Sequence, residues 1–573
     1  MDDLNSTTAS RQGGSEYSLY AGLHLPIPIL VAALLTVLLG RVYLNAFFTS
    51  DPYGLTKIPT VHQSRVLDAY RTGVWWRVFI PRLTPSVREG YYKYNKNDQP
   101  FKIWISGIQG YTYVLPHKYL DRVKNVGVAE VSFAGFINKY IASGLATREL
   151  NSLVVEVASK LLNANLTAIK PLIQDQTEQS LTLEIGTPTE WKRLNALTLA
   201  KNIIKASSMR IVYGQTLSQN QTFQTALSSY LSKVLPYTFA LRFVNVGPLR
   251  PLLLNLIHWQ QRRSLAGFIG PLRELIAERM RIKDRRVQLF DEDENEDEHE
   301  HEKPFDCVQW AIDQDIPLEK KTHEDIAKRL ITISNGTVEA VAAVLTPLLF
   351  DVAAAQREVI EELRAEMEEC LALEEGGWTA TSMARMRKLE SFIQESLRIS
   401  SAAVPLSVFR LVESETFRFD EKYVFPRGSL LTFPTRVVQT DSDLFPEPDR
   451  FDHLRFYNLK EEILHSGSGS GSMSSPSPLH IAQYFEEHTN RVNEEDIRTS
   501  WLQFGHGRQS CPGRFYALSL LKTILGELML RYDIRFAGGR RARPALGIDD
   551  DPPLFPDGEV DLEFRGREET VVS

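Results

Sequence analysis

The chain has 573 residues and a formal net charge of −7, with 43% hydrophobic and 24% charged residues, a globular composition with room for one or more large cores. Residues 291–302 (DEDENEDEHEHE) hold nine acidic side chains, so the rest of the chain stands at +2, without the basic excess that binds nucleic acid. Three cysteines, Cys307, Cys370 and Cys511, exclude a disulfide framework and suit a reducing compartment in which a thiol is kept for chemistry.

The first element is an uncharged apolar stretch, residues 23–40 (LHLPIPILVAALLTVLLG), bounded by Arg41. It has about the minimum length for crossing a bilayer, and Pro26 and Pro28 fall near its start, where a helix tolerates them. The residues before it are mostly polar and carry Asp2, Asp3 and Glu16, unlike the basic start of a cleaved signal peptide. Arg41, Lys57 and Arg65 follow, which places the body on the cytosolic side. The reading is a lumenal segment over 1–22, one transmembrane helix over 23–40, a linker over 41–59 and a single domain over 60–573. Asn5-Ser6-Thr7 is then a glycosylation sequon on the lumenal side.

Between residues 60 and 135, clusters such as WWRVFI, YYKY, FKIWISG and YTYVL, broken by Gly and Pro, predict short strands and a small sheet. Residues 150–280 have mostly helical apolar spacing, in segments of ordinary length. The acidic run at 291–302 and the Gly/Ser-rich run at 466–478 read as solvated loop insertions between motifs. Cys307, in the apolar PFDCVQWAID, reads as packing.

A long helix is expected from His323 to about Ala354, with a middle nearly devoid of charge and rich in small residues around Ser334, Gly336 and Ala340. Small residues there serve either close helix packing or something that lies against the helix; Pro347 should bend it. Next, LESFIQESLRI puts Glu395 and Arg398 at i and i+3 among apolar neighbours, so the pair is at least partly buried and needs a further partner. FPEPDRFDHLRF offers Arg450 and Arg455 for that place. Between these lie PLSVFRLVESETFRF (405–419) and VFPRGSLLTF (424–433), whose alternation and PRG turn read as strands, with Arg410 either a surface strand arginine or a partner for a carboxylate.

The last motif is FGHGRQSCPGRF, residues 504–515, followed at once by a helical pattern. Glycines let this backbone approach a flat ligand, while amides and the helix dipole stabilise a thiolate at Cys511. Phe504 stands seven before the cysteine and Gly507 four before it. That spacing, with the Glu395/Arg398 pair and the arginine motif in the same order upstream, resembles the cytochrome P450 family. SSMRIVYGQTLSQN (207–220), YDIRFAGG and ARPALG narrow the resemblance to fungal microsomal enzymes of secondary metabolism, the ent-kaurene-oxidase-like group.

The resemblance implies a mainly α fold with a small β region, and heme b with Cys511 as its axial iron ligand. Around the cofactor it places Phe504, Gly507, Arg508 and Gly513, with Arg410 on a heme propionate. Gln509 stands where relatives carry arginine or histidine, so one propionate contact becomes neutral. Glu395, Arg398 and, by the match of HLRF, Arg455 form a structural triad. On the distal helix Glu339 matches the family's acid, but Ala340 stands where a threonine is usual; Thr337, three residues earlier, is the candidate substitute. Implied partners are NADPH–cytochrome P450 reductase, O2 and a lipophilic terpenoid or polyketide-derived substrate, at the endoplasmic reticulum membrane. Ala340 leaves open heme-thiolate chemistry other than hydroxylation (rearrangement, desaturation, dehydration or coupling), or a catalytically idle heme-binding protein. Pocket residues are expected at 334–337, 404–409 and 552–556.

Overall fold

The computed structural model describes residues 54–61, 83–105, 110–141, 152–243, 250–290, 303–314, 321–375, 377–400, 405–466, 502–544 and 558–567. The chain divides into two compact units, Met1–Thr56 and Lys57–Ser573, and the strands and helices of the fold belong to the second. The expected anchor at 23–40, the sequon, the acidic run at 291–302, most of the 466–478 run and the 552–556 turn lie outside the described residues.

In chain order the main elements are β1 (Thr60–Val61), α1 (Leu83–Lys93), β2 (Phe101–Ile105), β3 (Gly110–Val114), α2 (Leu120–Lys124), β4 (Val131–Ser132), α3 (Phe133–Phe136) and α4 (Leu166–Glu184). Then come β5 (Lys192–Asn195), α5 (Ala196–Ser218), α6 (Gln221–Phe243), α7 (Arg250–Phe290), α8 (Cys307–Asp313), α9 (His323–Ala354), α10 (Arg357–Ala372) and α11 (Arg387–Ser400). The last third holds β6 (Ser407–Val412), β7 (Thr416–Arg418), β8 (Val424–Pro426), β9 (Leu430–Phe433), α12 (Arg455–Ser466), α13 (Arg514–Arg531), β10 (Tyr532–Phe536) and β11 (Asp561–Gly566).

The fold is mostly helical with small sheets. A six-stranded sheet runs β1-β2-β3-β9-β6-β4, a three-stranded one β10-β11-β5, and β7-β8 pair alone. One apolar core joins α4, α5, α8, α9, α11 and α13; a smaller one lies under the six-stranded sheet, around Phe101, Ile103, Phe136, Phe409 and Leu411. Two sequence expectations need correction. YYKY closes helix α1 rather than forming a strand, because Val87, Gly90 and Tyr91 recur at helical spacing on its buried face. Helix α7 has 41 residues, well beyond ordinary length.

Helix α9 runs from His323 to Ala354. Thr322 caps it by accepting the Asp325 N–H at 3.1 Å, with Glu324 and Asp325 in the first turn to oppose the helix dipole. Among the described residues it is the one helix long and apolar enough to cross a membrane, but it lies in the large core and spends its apolarity on packing. Within the 207–220 motif, Gly214 breaks the run of α5 with φ 76°. A Cβ there would collide with Asp306 Oδ2 and come within 3.1 Å of Arg279. Asp306 caps α8 and pairs with Arg279 at 2.6 Å, so the glycine lets that buried pair sit against the kink.

Candidate heme-binding site

The cysteine loop is closed by its own backbone. The Cys511 N–H donates to Phe504 O at 2.6 Å and the Ser510 N–H to Gly507 O at 3.0 Å, which delivers the chain into α13 at Arg514. Gly507 has φ 68°, and a Cβ on it would lie 2.6 Å from Lys124 Cα in α2 and closer still to the Lys124 carbonyl. Only glycine meets both demands. Cys511 is free and, as a residue, exposed. Enough protein surrounds its sulfur that burial raises the thiol pKa, against the Gly513 amide and the charge of Arg514. Arg508 is exposed in the short turn Gly507–Gln509.

Gln509 is bonded by the protein at both ends of its carboxamide. Its Oε1 accepts the Phe133 N–H at 2.8 Å and its Nε2 donates to Val131 O at 2.8 Å, so the carboxamide is used in tying the loop to the β4–α3 junction. An amide serves there because one end must accept and the other donate.

Arg410 is no surface residue: it is 1% exposed. Its Nη2 donates to His506 O at 3.2 Å and Nη1 to Phe409 O at 2.9 Å, while Nε has no partner among the described residues. Burial alone lowers its pKa, to about 10. The strand register explains its direction. Ser407 pairs with Phe433 but Arg410 with Leu431, so Val408 and Phe409 together oppose one residue of β9. This one-residue bulge, with Val408 at φ 53°, brings Ser407 and Arg410 out on the same face although they are three apart. Leu411 faces the small core, and Arg410 the cysteine loop.

The structure brings Glu395, Arg398 and Arg455 together. Arg398 donates to both Glu395 oxygens at 2.8 Å and to Gln439 O at 2.7 Å; Arg455 Nε lies 3.1 Å from both oxygens. The Asp452 N–H is a fourth donor to Glu395, at 3.1 Å. Arg455 also donates to the Pro446, Glu447 and Arg450 carbonyls, whereas Arg450 pairs with Glu447 at the surface. The Glu395 carboxylate is fully buried, and these donors satisfy it.

On α9, Gly336 and Ala340 are exposed although the turns around them are buried, and a Cβ at Gly336 would meet no atom within 4 Å. Thr337 is turned inward, its hydroxyl donating to Ile333 O at 2.9 Å. Glu339, 5% exposed, lies 2.8 Å from Lys201 Nζ of α5, an ion pair at contact distance without hydrogen-bond alignment. Ser334 donates to Tyr213 of α5 at 2.9 Å. The sequence pattern did not find Lys201 or Tyr213, since nothing in their local spacing marks them. A free thiol, a buried arginine without a carboxylate, and glycines at 336 and 513 that border open space fit a flat ligand that carries a metal and acid groups.

Comparison with known proteins gives this constellation a family. The family model described as Cytochrome P450 matches residues 202–547. The chain is 47% identical to Cytochrome P450 monooxygenase sttB of Aspergillus terreus, over 95% of this chain and 96% of that one. It is 46% identical to Aspergilol synthase AuAP450 of Aspergillus ustus, over 92% and 91%, and 30% identical to Cytochrome P450 monooxygenase sirB of Leptosphaeria maculans, over 83% and 85%. The family implies a heme-thiolate cofactor, a redox partner and use of O2. The chain belongs to the cytochrome P450 family, as a monooxygenase of the fungal secondary-metabolism type.

Proposed function

We propose that this chain is a membrane-anchored monooxygenase that oxidises a lipophilic secondary-metabolite intermediate, terpenoid or polyketide-derived, with O2 and electrons from NADPH. The observation that carries the reading is Cys511: a free cysteine in a loop that Gly507 shapes and that opens directly into α13. Its thiolate would take the iron of heme b, with the Gly513 amide and Arg514 offsetting the charge that burial disfavours. Arg410 would hold a propionate through its unpaired Nε, and Arg508 would serve the other acid edge. Phe504, Gly507 and Gly513 would bring the loop against the macrocycle.

When bound, the heme supplies the activation of dioxygen. The chain's own contribution on the α9 side is a surface without a donor at Gly336 and Ala340, and a carboxylate at Glu339, ion-paired with Lys201, that would relay protons toward it. The Thr337 proton is committed to Ile333 O, so that hydroxyl serves as an acceptor and does not replace a threonine at 340. Electrons would come from NADPH–cytochrome P450 reductase, docked beside the cysteine loop. Residues 23–40 would anchor the chain once in the endoplasmic reticulum membrane, with Asn5 on the lumenal side and the heme domain cytosolic.

Ala340 favours one second reading: heme-thiolate chemistry that does not leave an oxygen atom in the product, such as rearrangement, desaturation, dehydration or coupling. Metabolite profiling of a strain lacking the protein identifies the accumulating substrate. That compound is then turned over by full-length enzyme and reductase under isotopically labelled dioxygen. Label in the product is the expected result; turnover with unlabelled product contradicts the monooxygenase reading.

A further inference from the structure

Away from the cysteine loop, a cavity of about 580 Å³ opens between α4, α5 and the start of α6. Seven of its 17 lining residues are Asn or Gln, so it suits a polar ligand rather than the lipophilic one expected at the heme. Its charges are unevenly used. Asp175 already accepts from Gln179 at 2.8 Å and Gln176 at 3.1 Å. The guanidinium of Arg210, half-buried, forms no hydrogen bond or ion pair among the described residues. Among the described residues the Lys205 ammonium donates only to the Ser228 hydroxyl, at 3.0 Å, and burial pulls its pKa down against the pull of Glu184. Two half-buried cations of one helix therefore line one cavity with Glu184 as the single carboxylate not already hydrogen-bonded.

We propose that this cavity binds a small oxyanion, a carboxylate or phosphate on a polar body, between Lys205 and Arg210, with the surrounding carboxamides donating to its remaining oxygens. The site has a route to the reaction centre. Lys205 and Arg210 share α5 with Lys201 and Tyr213, which hold Glu339 and Ser334 of α9. An anion drawn against α5 acts on the helix whose Lys201 holds the Glu339 carboxylate, so occupancy sets the rate of reductase-driven NADPH use. The binding claim stands apart from the choice of substrate and from Cys511 as iron ligand.

The test is titration calorimetry of the full-length holoprotein in detergent with inorganic phosphate, with citrate, and with chloride at matched ionic strength. Saturable one-to-one binding of phosphate or citrate, at least tenfold weaker in Lys205→Met and in Arg210→Gln and unseen with chloride, is expected; which oxyanion binds more tightly tells phosphate from carboxylate. Arg210→Gln removes no bond of the protein, so it remains informative if Lys205→Met fails to fold. No saturable heat from either oxyanion, or equal affinity in the Arg210→Gln protein, overturns the site. NADPH consumption that stays constant across a saturating titration overturns the coupling to α9.

Discussion

Gly507 answers for two constraints at once, a left-handed backbone and the Lys124 carbonyl where a side chain would begin. Neither can relax cheaply, since the colliding atoms are backbone. Gly507→Ala should cost more than about 2 kcal/mol and leave purified protein with a reduced ratio of heme to polypeptide. An unchanged ratio would mean that the loop tolerates displacement from α2. The importance of Gly507 was legible in the sequence as spacing, four residues before Cys511. The reason was not, because Lys124 lies 383 residues away. The partners of Gln509, Val131 and Phe133, were hidden for the same cause, since they belong to a segment that local pattern does not connect to the loop. Arg410 was left open by the sequence, since a bulge changes the face on which a strand residue emerges and alternation cannot reveal it.

At the scale of elements, α11 is held from two sides. Glu395 takes Arg455 at the start of α12, and removing that arginine leaves a buried carboxylate with part of its compensation gone. Arg455→Ala is expected to destabilise by about 3 kcal/mol, against less than about 0.5 kcal/mol for the exposed Arg450→Ala, measured by chemical denaturation. Equal effects would return the choice between the two arginines to an open question. Glu390, five residues earlier, joins Lys460 of α12 at 2.7 Å and Lys522 of α13 at 2.8 Å. Burial works against its carboxylate, but the two lysines outweigh it and hold the pKa at about 2, below the ordinary 4.5. A carboxyl depressed in this way contributes stability that is complete above its unfolded value and lost as pH falls toward its folded one. The deficit of Glu390→Gln should therefore be about 3 kcal/mol at neutral pH and shrink by more than half near pH 3. A deficit independent of pH would contradict the assignment. The helices α9, α11 and α13 were readable from periodicity. The ties between them were not, because each joins residues far apart in the chain.

For the whole molecule, what the sequence carried best was order: distal helix, Glu395/Arg398 pair, arginine motif and cysteine loop in succession. The structure sets these around one helical core, with a six-stranded sheet that brings Arg410 to the same loop. The contacts that fix the arrangement, Arg410 to His506 and Glu339 to Lys201, join residues far apart in the chain and leave no periodic trace. The central claim, that Cys511 is the axial thiolate of a heme, is tested most directly by the absorption spectrum of the reduced, CO-bound full-length protein beside its Cys511→Ala variant. A red-shifted Soret band in the former, absent in the latter, is the expected result. No such band in the native chain, or its survival in Cys511→Ala, would contradict the assignment.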